Sequence, residues 1–116
     1  MVNLPGSPGP DQETLDKTFA ALADPTRRAM ITALTAGPRS ISALADPHAM
    51  SLVAASKHVR VLERAGLLER RRVGRSQVCT LRGEALRRAD GWLAAHREFW
   101  TDRLTNLEHY LTGETD

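Results

Sequence analysis

Residues 55–82 carry eight of the chain's 16 Lys and Arg residues: Lys57, Arg60, Arg64, Arg70, Arg71, Arg72, Arg75 and Arg82. Only Glu63 and Glu69 oppose them, so this segment has a net charge of +6. Residues 1–54 sum to −1 and residues 83–116 to −3, and the overall +2 therefore conceals one concentrated basic region. Cations at this density neutralise a polyanion, and a nucleic-acid backbone is such a partner. Covalent chemistry is poorly provided for. Serines, histidines and carboxylates are present, but no glycine-rich phosphate loop, nucleophile elbow or paired-carboxylate motif organises them, and no enzyme is expected. The single cysteine, Cys79, makes no internal disulfide and cannot supply the several sulfurs of a zinc finger. It reads either as a small buried hydrophobe or, given the arginines around it, as a redox-reactive thiol.

The elements that must hold these cations follow from caps and periodicity. Residues 1–10, with three Pro and two Gly, have little to bury and read as a disordered N-terminal arm ahead of one domain, residues 11–116. From Asp11 a first helix places Leu15, Phe19 and Leu22 on one face. Asp24 as N-cap and Pro25 at the first helical position open a second helix, which should run to about Ala36 before Gly37 and Pro38 stop it. Ser40 caps a short third helix carrying Ile41 and Leu44, which ends near Asp46 and Pro47. After a turn through His48 to Met50, Ser51 caps a fourth helix closed by Gly66. Its Leu52, Ala55, Val59 and Leu62 repeat at helical spacing, while Ser56, Lys57, Arg60 and Arg64 take the other face. Two helices joined by a brief turn, the second basic outward, form the arrangement that sets a helix into a major groove. Leu67–Val73 and Gln77–Leu81 have strand length, with Gly74 and Arg75 as the turn of a two-stranded hairpin.

The last segment, about Glu84 to Leu111, contains no proline. Leu93, Trp100, Leu104, Leu107 and Leu111 follow heptad-like spacing, and Trp92 and Phe99 widen the stripe. Four of the chain's five aromatic residues lie here, more apolar area than one amphipathic helix can cover, so a second copy is the simplest partner. No stretch is long and apolar enough to span a membrane, and the start lacks a signal-peptide pattern, so a cytoplasmic protein without a membrane partner is expected.

The run MSLVAASKHVRVLERAGLLERRRVGRSQVCTL, from Met50 to Leu81, resembles the ArsR/SmtB family of bacterial regulators. The same resemblance extends through ALADPTRRAMITAL in the second helix, ISALAD in the third and RRRVGRSQ in the wing. The ending HREFWTDRLTNLEHYL is similar to the branch whose terminal helix carries a Phe-Trp pair and lacks the founding sensors' metal ligands. The resemblance implies a mainly α winged helix-turn-helix fold with a small β-hairpin wing, in the order ααααββα. It also implies a homodimer joined through the first and last helices, drawing on Leu15, Phe19, Trp92, Leu93, Phe99, Trp100, Leu104, Leu107 and Leu111. The implied function is a transcriptional regulator, a repressor, that binds a pseudo-palindromic duplex DNA operator.

On that resemblance, the fourth helix from Ser51 onward presents Val53, Ala54, Ser56 and Lys57 to base edges and Arg60 to the backbone. The family commonly has Pro where this chain has Val53, which bears on the bases read. A serine hydroxyl can serve a base edge or a phosphate, and an ammonium can reach guanine acceptors, although both residues would also suit a merely solvated face. His58, beside Leu62, is either packed or phosphate-bound. In the wing, Arg70 and Arg72 fall on one side of a strand, and that side would project outward around Gly74. Phosphate contact by these arginines, or insertion of Arg75 into a minor groove, is the family-consistent reading. The competing reading is a dimeric interaction module that kept the fold and lost sequence-specific DNA binding; the basic segment argues against it.

Metal sensing, which the family name invites, is not supported by these residues. SISALADPHAM holds no cysteine for a third-helix thiolate site. In the terminal helix, Asp90 is followed by Trp92 where the family's site has histidine, and His96 and His109 lie thirteen apart rather than eleven. A novel zinc site from His48, His96 or His109 is the residual alternative. No metal or cofactor is therefore expected; the effector is unknown, with a small molecule, a redox signal or none all open.

Overall fold

Side-chain caps set where three of the helices of the computed structural model begin, across the described residues 10–113. Helix α1 spans Pro10–Leu22, α2 Pro25–Leu34, α3 Ile41–Ala45, α4 Leu52–Arg64 and α5 Glu84–Thr112. Asp24 Oδ2 accepts from the Arg27 amide at 2.9 Å, Ser40 Oγ from Ala43 at 3.1 Å and Ser51 Oγ from Ala54 at 3.1 Å. Each bond satisfies one of the amides that a helix start leaves without an intrahelical partner. Helix α1 opens at Pro10, which the sequence had placed in the arm; the rest of that expected arm lies outside the described residues. Between α3 and α4, a 3₁₀ turn over Asp46–His48 ends on Ala49, whose φ of 50° makes it the one non-glycine residue with positive φ among those described.

Helix α4 ends in a Schellman motif. The Leu67 amide donates to the Leu62 carbonyl and the Gly66 amide to Glu63, both at 3.0 Å, with Gly66 at φ 76°. The chain then enters β2, Leu68–Val73, and returns along β3, Ser76–Leu81. Val73 pairs with Ser76 across the expected two-residue turn, where Gly74 supplies φ 62° at the first loop position. The sheet has one strand more than expected. Arg39–Ser40 form β1, antiparallel to β3, with Arg39 opposite Cys79 and Ser40 opposite Val78, giving the order β1-β3-β2. The pairing satisfies the second edge of β3, and two residues are too few to show a strand period.

Met30, Leu34, Leu44, Val59, Leu62 and Leu67 are buried and bring α2, α3, α4 and the foot of β2 into one core. Leu52, expected on the inner face of α4, is instead 56% exposed. It occupies the first turn, beyond the edge of the core that Ala55 begins. Helix α5 has 29 residues, which at 1.5 Å per residue makes it about 43 Å long. Only Ala85 and Ala89 of it are buried, and every described residue from Arg97 onward is exposed. The radius of gyration, 18.9 Å, reflects that projecting helix, since a compact domain of this length has about 13 Å.

The Asp24 cap supports a stability prediction. The backbone hydrogen bond from Arg27, together with the Arg27 charge, lowers the Asp24 pKa below its ordinary value against a smaller opposing effect of burial. A depressed carboxylate pKa contributes stability that is complete above the unfolded value of about 3.9 and is lost as pH falls through the folded value. Asp24→Ala is therefore expected to cost about 1 kcal/mol at pH 7. The gap between variant and parent, read from urea midpoints, should shrink below pH about 4. A constant gap down to the most acid pH would show that the cap acts without its charge.

Candidate nucleic-acid interface

Helical geometry sorts the residues of α4 between two faces. Ala55, Val59 and Leu62 are buried against the core, while Val53, Lys57, Arg60 and Arg64 point away from it and are exposed. Ala54 and Ser56 are half-buried at the border, and Ser51 is exposed at the helix start with its hydroxyl oxygen engaged as the cap. The N-terminal end of α4 thus combines a positive helix dipole with cationic side chains on the adjoining turns, a favourable setting for phosphate oxygens.

The wing closes onto this end of the helix. Leu52 and Ser56 of α4 line one cleft together with Arg75, Ser76 and Gln77 of the hairpin and Ser40, Ile41 and Ser42 at the start of α3. Arg75 is exposed, and among the described residues no acidic partner within 4.0 Å holds it; the same is true of Arg72. Arg70 departs from the expected outward projection. It lies on the same strand face as buried Leu68, and its Nη2 donates to Glu63 Oε1 of α4 at 3.1 Å. The pair fastens the wing to α4. Ser42 and Gln77 escaped the sequence reading, because nothing local shows that the start of α3 and the outgoing strand share a cleft with α4.

His58 is half-buried, with one ring nitrogen held by Arg27. The Arg27 guanidinium donates through Nε to the Ala21 carbonyl at 2.7 Å and through Nη2 to Ala20 at 3.2 Å, satisfying the C-terminal end of α1. Its Nη1 lies 3.2 Å from His58 Nδ1. A guanidinium can only donate, so His58 Nδ1 is the acceptor and any ring proton sits on Nε2. The Asp24 carboxylate, at 4.0 Å from the same nitrogen, is too far for a hydrogen bond. Arg27 thereby joins α1, α2 and α4, a role that no pattern in the sequence announced.

Residues 22–71 match the family described as Helix-turn-helix domain. The HTH-type transcriptional regulator Rv2034 of Mycobacterium tuberculosis (strain ATCC 25618 / H37Rv) is 36% identical over 103 residues, covering 87% of this chain and 92% of that protein. The crystal structure of the ArsR family transcriptional regulator RHA00566 aligns with a TM-score of 0.73 at 37% identity, over 87% of this chain and 97% of the other. The chain belongs to the ArsR family of winged helix-turn-helix transcriptional regulators. Within this ArsR fold, a further likeness is to the solution structure of the homodimeric winged helix-turn-helix DNA-binding domain Mb0332 from Mycobacterium bovis. It has a TM-score of 0.59 and 29% identity, over 83% of this chain and 94% of that one.

As an ArsR-family regulator the chain is not an enzyme, and no helix among its described residues is long and apolar enough to cross a membrane. The expected interface residues divide between two settings in the subunit. Leu15 is half-buried on α1, and Phe19 meets Trp92 of α5 edge to face, with ring centroids 5.7 Å apart. Trp92 also stacks on His96 at 4.2 Å, and its Nε1 is buried without a hydrogen-bond partner. Leu93, Phe99, Trp100, Leu104, Leu107 and Leu111 are exposed along the outer side of α5, joined by Tyr110, which the heptad spacing did not include. Phe99 carries Arg103 over its ring at 4.7 Å, and its edge meets Trp100.

The histidines named as a residual zinc alternative do not converge: among the described residues no three His, Cys, Asp or Glu are grouped as a metal would need. His96 Nδ1–H donates to the Trp92 carbonyl at 2.8 Å, since a carbonyl can only accept, and is thus committed. Cys79 is buried in the central strand. Burial pushes its thiol pKa up, Arg70 pulling it down less and Glu63 adding to the rise, so the protonated, unreactive form prevails at neutral pH. Of the two readings of Cys79, the small buried hydrophobe is the one the packing supports.

Proposed function

We propose that the protein is a homodimeric repressor that binds a pseudo-palindromic operator, with α4 of each subunit in one of two successive major grooves and a wing on each flank. The observation that carries this reading is the exposed cationic face of α4, with Lys57 and Arg60, whose neighbours Leu52 and Ser56 share one cleft with Arg75 of the wing. Val53, Ala54, Ser56 and Lys57 face the bases on this reading, while Arg60, Arg72 and Arg75 meet phosphates or the minor groove. His58 and Arg70, both engaged within the subunit, hold the helix and wing in position. A dimer seam along α1 and α5 would cover the apolar stripe of α5. Occupying a promoter would block polymerase.

The deciding measurement is footprinting and gel retardation on the gene's own upstream DNA against a scrambled duplex. Protection of two half-sites about one helical turn apart supports the proposal, and equal binding to both duplexes at moderate salt overturns it in favour of an interaction module. If the dimer neutralises on the order of eight phosphates, the log-log salt slope should be about −7. Arg75→Ala is expected to weaken binding to all duplexes about tenfold and to make that slope shallower by about two, one for each subunit. Changes at Ser56 or Lys57 should instead shift the preferred bases, at about 1–3 kcal/mol of discrimination. Equal losses from both kinds of change on every sequence would refute this division of roles.

A further inference from the structure

We propose that the cavity between the C-terminal turns of α1 and α4 is a binding site for a small organic carboxylate with an apolar body. The cavity, about 410 Å³, is lined by Lys17, Ala20 and Ala21 of α1, Arg27 of α2, and Val61, Arg64 and Ala65 at the end of α4. It exists because three of the residues between the two helices are alanines, which leave space where larger side chains would interdigitate. Its floor is apolar. Its polar lining consists of three cations and no carboxylate.

The charge balance of the lining favours an anion. Lys17 and Arg64 make no ion pair among the described residues. Glu63, the acidic neighbour of Arg64 in sequence, is turned away and bound to Arg70. Two helix C-termini face the cavity, and each brings about half a negative charge. The α1 end is nonetheless covered: Arg27 holds the Ala20 and Ala21 carbonyls and Arg28 holds Leu22 at 2.8 Å. Two dipole ends and the Asp24 carboxylate beside Arg27 offset about two of the three formal positive charges and leave the cavity cationic. Arg27 is also preorganised. Three of its five N–H groups are spent on Ala20, Ala21 and His58, which fixes the guanidinium and leaves two donors.

The volume falls within the range of small-molecule sites and suits a ligand of on the order of a dozen non-hydrogen atoms. Inorganic phosphate would leave exposed Ala20 and half-buried Val61 in contact with water, whereas a carboxylate on an aromatic or branched body covers them. Such a ligand touches α1 and α4 together. On the regulator reading, its occupancy and operator affinity would then be coupled equally in both directions. Occupancy itself requires no DNA, so the site stands or falls separately from that reading.

The test uses the full chain without DNA, titrated with 1-naphthoate and, in parallel, its neutral analogue 1-naphthamide, with backbone amide NMR shifts and calorimetry as readouts. Saturable 1-naphthoate binding is expected, with shifts at Lys17, Ala21, Val61 and Ala65. The amide should bind about tenfold more weakly or worse, and Lys17→Gln with Arg64→Gln should weaken 1-naphthoate by a similar factor with Tm unchanged. Arg27 is left intact because it also ties α1 to α4. Absence of saturable binding at millimolar probe, equal affinity for the amide, indifference to the double substitution, or shifts confined to the outer face of α5 would each overturn the proposal.

Discussion

Leu104→Glu combined with Leu107→Glu is expected to yield a folded monomer that has lost operator affinity by about 100-fold or more. Both leucines are more than half exposed, at 61% and 51%, on a part of α5 where no described residue is buried. The substitutions therefore remove nothing from the subunit's own core, and far-UV helicity should persist apart from fraying of the outer turns. In a dimer the same positions fall on the apolar stripe, where two glutamates per subunit would have to be buried unpaired, at several kcal/mol each. Once the subunits separate, each half-site is bound alone, and the effective concentration that links the second contact to the first disappears. Sedimentation and gel retardation on one preparation check the chain of cause. A variant that still sediments as a dimer and binds at parental affinity would remove α5 from the proposed seam.

Arg27→Ala is the second large effect, expected to cost about 2 kcal/mol of folding stability by urea midpoint. The substitution strands the Ala20 and Ala21 carbonyls at the end of α1 and leaves His58 Nδ1 without its donor, so three separate helices feel one deletion. Partial exposure lets water replace some of these bonds, which keeps the figure below the sum of three charged hydrogen bonds. Arg27→Lys should recover only part of the loss, because an ammonium reaches one carbonyl but cannot reproduce the planar fork. A loss below about 0.5 kcal/mol for the alanine variant would mean that the bonds merely replace equivalent ones to water.

What could be read from sequence was whatever is determined within a few residues. Asp24, Ser40 and Ser51 cap their helices because a short side-chain oxygen satisfies an amide three positions on, a purely local bond. Gly66 and Gly74 sit where the chain needs positive φ, and the apolar stripe of α5 showed through its spacing. The larger misreadings arise where the outcome depends on how separate elements pack together. A strand of two residues, Arg39–Ser40, exists only because β3 offers it an edge. Leu52 continues the helical period of the core residues, yet the period cannot say where the core ends. Arg70 obeys strand alternation, but its face is the one Glu63 occupies. At the candidate interface, α4 was legible as an amphipathic helix, whereas the cleft with Ser42 and Gln77, and the clasp of Arg27 on His58, arise only when the elements assemble.

Val53, at 68% exposure, together with Lys57 and Arg60 on the same outward face of α4, takes no part in the buried core. Surface positions of this kind change at a cost within about half a kcal/mol, whereas Ala55, Val59 and Leu62 on the opposite face cannot. On the proposed reading, the letters that select an operator are thus written on a part of the molecule that folding does not constrain. A duplicated gene could drift toward a new binding site through these positions while both copies remained folded, and its ability to pair with its parent, which the same reading assigns to α5, would diverge on a separate schedule.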